Sequence, residues 1–525
     1  MPRLPIPGAV SVASPLIRPE VLLARATARH EAGDRNQART ICQQILLADP
    51  LHAPAMNLLG VTLAEDGRPA EAISQFDNAI RTAPDLMDAW WNRGLTLSDL
   101  GLLPAALESF ERTVTHRPGN STGLVMLGVT LARMGRFDDA LLAYDRVLAL
   151  TGMTADLASN RGIALAGAGR TDAAMASFNL ALSLDPDLAD AKANKSYLSM
   201  LLGDFPTGTR LFEWRWRSGR LTPKRAWTRP LWLGESCLVG KTLLLHDEQG
   251  FGDTLQFCRY AMRAEQAGAQ VILMVEAPLA TLMRTLPGVS RVLTFADETP
   301  DHDLQCPLMS LPLAFGTTLD TIPANIPYLH ADPARVGAWR SRLADLPGSR
   351  IGLVWAGSSR MGQAVSVATD QRRSVRLSAL APLASVPGCS FVSLQVGPPG
   401  REARSPPAGM ILRDPTSELL DFAETAALVA NLDLVISVDT AVVHLAGAMG
   451  KPVWLLNRFD TCWRWLLNRD DSPWYPSLRQ FRQPRSGDWD TVIRGVRDAL
   501  LAKARTDTPF VNAMTGEHDR SNRLQ

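Results

Sequence analysis

Apolar and small positions keep one rhythm over the first part of this chain and another over the rest. Glycine returns every 34 residues, at Gly33, Gly67, Gly101, Gly135, Gly169 and Gly203. Five residues after the first five of these stand Ala38, Ala72, Ala106, Ala140 and Ala174, and rings recur at Phe76, Phe110, Tyr144, Phe178 and Phe212. Pro50, Pro84, Pro118 and Pro186 close four of the units. A turn glycine, a small site where two helices approach, a ring and a proline stop predict helix, turn, helix, stop. Beyond about residue 240 that period is gone. Short apolar runs at 242–246, 270–275, 351–355, 390–394, 432–437 and 452–456 instead predict buried parallel strands separated by helices, the alternation of doubly wound α/β sheets.

The 34-residue unit resembles the tetratricopeptide repeat. No unit of that size buries its apolar face alone, so units stack into a superhelix whose concave groove holds a peptide or a partner. Five full repeats and an incomplete sixth, with Gly208 at its small site, fill residues 19–220 and end on Phe212-Glu-Trp-Arg-Trp-Arg217. Trp214 and Trp216 are placed to seal the last helix against the neighbouring domain. The chain is long enough for about three compact units of 100 to 200 residues. The expected layout is a disordered segment 1–18, the superhelix 19–220, a connector 221–240, a first Rossmann-like domain 241–330, an interdomain linker 331–350, a second Rossmann-like domain 351–488, a C-terminal helix 489–504 and a disordered tail 505–525. The fold class is an α-solenoid followed by paired α/β domains.

Charge removes several classes of partner. Lys and Arg number 54 against 53 Asp and Glu, so no global field draws the chain to nucleic acid or an anionic bilayer. Six cysteines, Cys42, Cys237, Cys258, Cys306, Cys389 and Cys462, lack paired spacing, which fits reduced thiols and a cytoplasmic setting. Residues 1–19 lack the apolar stretch of a secretion signal, and no run of about 18 apolar residues predicts a membrane span.

In open α/β folds a ligand sits where strands end and helices begin, because backbone N–H groups and the helix dipole point there. Two junctions stand out. In His246-Asp-Glu-Gln-Gly-Phe-Gly-Asp253, Gly250 and Gly252 permit close backbone approach and Asp253 opens a helix; Asp253 with Gln256 forms a capping box, acts as a general base, or does both. Glu248 is a spare base on the same loop. In Ser437-Val-Asp-Thr-Ala-Val-Val-His444, Thr440 is either a plain helix cap or, with His444 four residues on, part of one helical face beside an N-terminal dipole that favours a diphosphate. Asp439 would repel phosphate and suits sugar hydroxyls. A third candidate is the loop Gly357-Ser358-Ser-Arg360 with Arg372, Arg373 and Ser374, whose guanidinium groups suit a departing diphosphate without a metal, or are merely solvated. Asp301-His-Asp303 has the look of a metal-binding carboxylate pair but lacks further ligands. Trp463, Trp465, Trp474 and Tyr475 are available either for stacking on a base or for the core.

Taken together, the Gly-Phe-Gly-Asp253 loop, Gly352-Leu-Val-Trp-Ala-Gly357, Asp421-Phe-Ala-Glu-Thr-Ala426 and Ile436-Ser-Val-Asp-Thr-Ala-Val-Val-His444-Leu-Ala-Gly resemble the glycosyltransferase family 9, heptosyltransferase-like proteins, above all bacterial ones preceded by tetratricopeptide repeats. The resemblance implies a GT-B fold with the nucleotide sugar held mainly by the second half. It implies Asp253 as base, with acceptor-side Glu248, Gly250 and Gly252 around it, and Asp439 and Thr440 on the donor sugar and phosphate. Gly357, Ser358, Arg360, Arg373, Ser374 and His444 complete the expected donor set, no metal or cofactor beyond the nucleotide sugar is implied, and the partner is a protein or peptide in the repeat groove. The chain departs from the family between Ser358 and Asp370, where it lacks the phosphate-binding lysine of heptosyltransferases. Its architecture is similar to that of protein O-GlcNAc transferases, which join the same repeat to a GT-B half. The expected activity is metal-independent sugar transfer; the alternatives are a scaffold whose transferase half has degenerated and, third, a nucleotide-sugar epimerase.

Overall fold

The computed structural model describes residues 18–218, 225–358 and 364–506. The expected disordered segments lie outside these residues, save for Arg18 and the end of the last helix. Two compact units are present: of the described residues, the first takes 18–134, 142–152 and 364–365, and the second takes the remainder.

The first unit is helical. It contains α1 (Pro19–Glu31), α2 (Arg35–Ala48), α3 (Ala53–Glu65), α4 (Pro69–Thr82), α5 (Met87–Asp99), α6 (Leu103–His116), α7 (Ser121–Arg133) and most of α8 (Phe137–Thr151). Gly33, Gly67 and Gly101 end the first helix of each pair at φ of 81°, 74° and 73°, the left-handed conformation that a side chain resists, so the 34-residue glycine is a helix stop. Ala38, Ala72 and Ala106 are fully buried where the second helix meets its neighbours. A second glycine series, Gly60, Gly94 and Gly128, lets the recurring ring in: a Cβ at these positions would fall 2.5, 2.8 and 2.4 Å from Phe76, Phe110 and Tyr144.

The second unit opens with α9 (Ala155–Gly167), α10 (Thr171–Leu184), α11 (Ala189–Leu201) and the short α12 (Phe205–Phe212), followed by a 3-10 turn, Glu213–Trp216. Gly162 accepts Phe178 as its predecessors accept their rings, and Gly208 lets α12 close on Met200 of α11. The connector is ordered where described. Leu231 bridges in parallel to Gln305, and the Trp232 N–H donates to the Gln305 carbonyl at 2.9 Å.

Next come two all-parallel sheets. The first comprises β1 (Thr242–His246), β2 (Gln270–Val275), β3 (Arg291–Thr294) and β4 (Leu304–Pro307) in the order β3-β2-β1-β4, with α13 (Phe251–Phe257), α14 (Tyr260–Gln266), α15 (Ala277–Met283) and α16 (Leu311–Ala314). The stretch 331–350, expected as a linker, instead holds α17 (Pro333–Arg342), because Asp332 caps it and Trp339 is buried with its Nε1–H donating to Glu424 at 2.9 Å. The second sheet runs β10-β9-β8-β5-β6-β7, from β5 (Ser349–Val354), β6 (Cys389–Ser393), β7 (Leu412–Arg413), β8 (Leu434–Val438), β9 (Val453–Asn457) and β10 (Leu478–Arg482). Counted within this domain that is the order 6-5-4-1-2-3, the doubly wound Rossmann order with its switch point between β5 and β8. Its helices are α18 (Ala364–Arg373), α19 (Phe422–Ala430), α20 (Ala441–Ala448) and α21 (Trp489–Thr506). α21 seals one sheet face with Val492, Ile493, Val496 and Leu500. A single apolar core runs from Phe205 of α12 through the first sheet to α19, α20 and Trp463.

Candidate functional site

β1 ends at His246, and the loop after it enters α13 with Gly250 as the N-cap. Asp253 is therefore the third helical residue, not the opening one. Its Oδ2 reaches back to accept the Gly250 N–H at 2.8 Å, and its Oδ1 accepts from Arg464 Nη2 at 2.5 Å. The expected box with Gln256 does not form, because Gln256 is buried and its Oε1 accepts from Arg464 Nε at 2.6 Å. Arg464 does not stand out in the sequence; the one local hint is a charge wedged between two tryptophans. Its guanidinium lies 4.5 Å from the Trp463 ring and 5.6 Å from that of Phe257. Burial opposes its charge, but Asp253 and Cys462 more than compensate and raise its pKa.

The second junction follows β8. Thr440 is the N-cap residue of α20 by position, yet its side chain makes no capping hydrogen bond. Its Oγ1 lies 3.0 Å from Ser437 Oγ, whose own proton goes to the Val438 carbonyl at 2.6 Å, so Thr440 donates to Ser437 and keeps its lone pairs for another donor. The Asp439 carbonyl accepts from Arg373 Nη1 at 2.9 Å, and its carboxylate has no hydrogen bond among the described residues. Arg373 is braced from behind by Asp370, at 3.1 and 3.0 Å. Gly357 lies so close to that pair that a Cβ would sit 2.0 Å from Asp370 Oδ1, and its N–H donates to Ser374 Oγ at 3.0 Å. Ser358 is exposed beside it. Arg360 lies outside the described residues. Arg372, the other guanidinium considered, turns instead to Asp460 at 3.0 Å.

These junctions meet. A Cβ on Gly252 would come within 2.8 Å of His444 Cδ2, so α13 and α20 touch through a glycine, and Phe251 packs edge-on against Phe422 at the start of α19, 5.2 Å between centroids. The starts of α13, α19 and α20 thus lie side by side, with Asp253 in the first turn of α13, Asp439 and Thr440 at the start of α20, and Arg373 held to the Asp439 carbonyl. His444 does not join them. It is buried, stacked on Trp465 with centroids 5.4 Å apart, with Nδ1 3.0 Å from the Tyr475 hydroxyl. A helix whose every residue from Val443 to Ala448 is buried has no solvent face for Thr440 and His444 to share. Burial first, and Arg464 second, push the His444 pKa down to about 3, so its ring is neutral.

That depression has a consequence for stability. The folded pKa of about 3 lies below the ordinary 6.5, so the unfolded chain takes a proton that the folded chain refuses. The contribution of His444 is complete above about pH 6.5 and declines as pH falls towards 3, by up to about 1.4 kcal/mol per pH unit. His444→Gln is expected to lose less stability than the parent between pH 7 and pH 5 in urea unfolding; equal losses would contradict the buried neutral ring.

Other expected residues have structural employment. Glu248, expected as a spare base, has its side chain buried in a two-pronged ion pair with Arg215, at 2.8 and 3.1 Å. Trp463, Trp465, Trp474 and Tyr475 are all buried and offer no face for stacking. Asp301 pairs with Arg229, and Asp303 accepts the Thr242 N–H at 2.8 Å, which places this triplet at the N-terminal edge of the sheet, away from the junctions. Trp214 carries Lys192 over its ring at 3.2 Å. All six cysteines are free.

Comparison with known proteins fits this layout. Residues 23–86, 66–121 and 125–189 match the tetratricopeptide repeat, and residues 419–456, which contain α19, β8, α20 and most of β9, match glycosyltransferase family 9 (heptosyltransferase). The chain joins tetratricopeptide repeats to a segment that matches glycosyltransferase family 9. Protein FlbA of Caulobacter vibrioides is 28% identical over 295 residues, 51% of this chain and 48% of that protein. The chain thus spans about half the length of the curated relative it matches. Among solved structures, a tetratricopeptide repeat protein from Parabacteroides merdae is similar at 17% identity and a TM-score of 0.36, over 38% of this chain and 79% of that one. YrrB, a repeat protein with an unusual peptide-binding site, is 22% identical with a TM-score of 0.31, over 32% of this chain and 88% of that one. The family 9 match includes Asp439, Thr440 and His444 but stops short of Arg464. No described helix is long and apolar enough to cross a membrane.

Proposed function

We propose that this protein is a metal-independent glycosyltransferase that moves a sugar from a nucleotide-sugar donor to a protein or peptide recruited by the repeats. The observation that carries the reading is the meeting of α13 and α20 at Gly252 and His444, which puts one carboxylate, Asp253, across from a helix start with an open hydroxyl and an adjacent guanidinium. Asp253 accepts the proton of the acceptor hydroxyl as that oxygen bonds to the anomeric carbon. The bond from that carbon to the diphosphate breaks, and its electron pair leaves with the nucleotide, stabilised by the α20 dipole and Arg373. Asp439 accepts hydrogen bonds from the donor sugar. Although Arg464 and the Gly250 N–H each occupy one oxygen of Asp253, a carboxylate has about four lone-pair sites, so capacity for an acceptor hydroxyl remains.

The double engagement of Asp253 also favours one other reading, a scaffold in which this carboxylate only fastens the sheets together. Thermal unfolding with uridine, guanosine and cytidine diphosphates and their sugars separates the two. A ligand at about 100 times its Kd adds about 2.7 kcal/mol, a shift of several degrees, and Arg373→Ala or Thr440→Ala is expected to remove most of it. No shift with any nucleotide would return the function to the repeats alone.

A further inference from the structure

The last repeat reaches the catalytic loop by two separate routes. Phe205, the first residue of α12, packs against Trp463 and Trp474, each 6.0 Å away between centroids. Trp463 is stacked in turn on Phe257 at 6.2 Å, and the Arg464 guanidinium lies against both of those rings while holding Asp253 and Gln256. The second route is ionic. Arg215, in the turn that caps α12, takes Glu213 at 2.8 Å, Ser310 at 2.7 Å and both oxygens of Glu248. Glu248 is the second residue of the loop whose Gly250 N–H is bonded to Asp253, so one end of that loop is fastened to the repeat cap and the other to Arg464. Both routes are buried, where ion pairs and aromatic contacts are least screened.

We infer that the last tetratricopeptide repeat is a working part of the catalytic cleft, with Phe205 and Arg215 as positioning residues that fix where the Asp253 carboxylate points. The inference rests on the reading of Asp253 as the base, but its structural core is open to test without any substrate. Without these contacts the Trp463 ring that Arg464 lies on has lost its backing from the repeat, and the 247–253 loop has lost its ionic anchor. The repeats then do more than collect a partner: the end of the array shapes the group that receives the acceptor proton.

Hydrogen exchange on the full chain tests this. Phe205→Ala is expected to speed exchange in the peptides covering 247–256 and 462–466 by about tenfold or more. Phe137→Ala is the control, since Phe137 is the same residue in the same register two repeats earlier, packed against Gly167, and it should leave those peptides unchanged. Should Phe205→Ala fail to fold, Phe205→Leu and Arg215→Lys carry the same comparison. Faster exchange at both peptides in the Phe205 variants alone supports the inference; equal effects from Phe137→Ala, or none from either, overturn it. Where nucleotide release from a uridine or guanosine diphosphate sugar is measurable, kcat should fall with the donor KM unchanged. A parent protein without turnover would sink the transferase reading and leave the exchange result to decide the positioning.

Discussion

Arg464→Ala is expected to destabilise the second unit by about 3 kcal/mol, the low end of the cost of removing one member of a buried ion pair, because the Asp253 side is partly exposed. Three consequences add up at one position. The Asp253 carboxylate keeps its Gly250 N–H but loses its countercharge, Gln256 loses the partner of its buried oxygen, and the loss of a planar group packed against Trp463 and Phe257 leaves a void. Arg464→Lys should recover part of the loss, since an ammonium restores the charge but cannot span Asp253, Gln256 and Cys462 together. Urea unfolding followed by tryptophan fluorescence reads both, because Trp463, Trp465 and Trp474 are buried around the pair. A cost below about 1 kcal/mol for the alanine variant would mean that the pair contributes no more than an exposed one.

Asp253→Asn is expected to lower turnover by about 10²–10⁴-fold, the usual contribution of a general base. The structure changes what must be measured beside it. An asparagine keeps an oxygen for one of the two donors but leaves the Arg464 charge buried without its anion, so the substitution costs stability as well as chemistry. Activity must therefore be read well below the melting temperature of the variant. The nucleotide-diphosphate shift should survive, because Thr440, Arg373 and the start of α20 are untouched. Retained shift with lost turnover identifies Asp253 as acting on the acceptor, whereas turnover within about tenfold of the parent would show the base to be another group.

How the two junctions would be used was only partly visible in the chain. The glycine-rich loop and the Ser437–His444 stretch stood out because strand-to-helix turns in parallel sheets are where ligands bind, and the sheets are indeed parallel there. Short-range spacing is a poor guide to pairing at the same places. Asp253 and Gln256 have capping-box spacing, yet Gln256 points inward to Arg464; Thr440 has the position of a cap and does not cap. β3, β4, β7 and β10 are too brief or too polar to show as apolar runs, and α17 arose where Pro and Gly suggested a bare linker.

By itself the sequence determined whatever depends on local periodicity. A 34-residue return of glycine in a left-handed turn stops a helix, and apolar runs only five or six residues long between amphipathic segments are too short for buried helices and pair as strands. Only the tertiary structure decided the pairings that make the site. Asp253 and Arg464 lie 211 residues apart, Arg215 and Glu248 lie 33 apart, and no spacing rule links either couple. Nor does helical periodicity tell which side of α20 meets solvent: it set Thr440 and His444 four residues apart, and packing left one half-buried at the helix start and the other in the core.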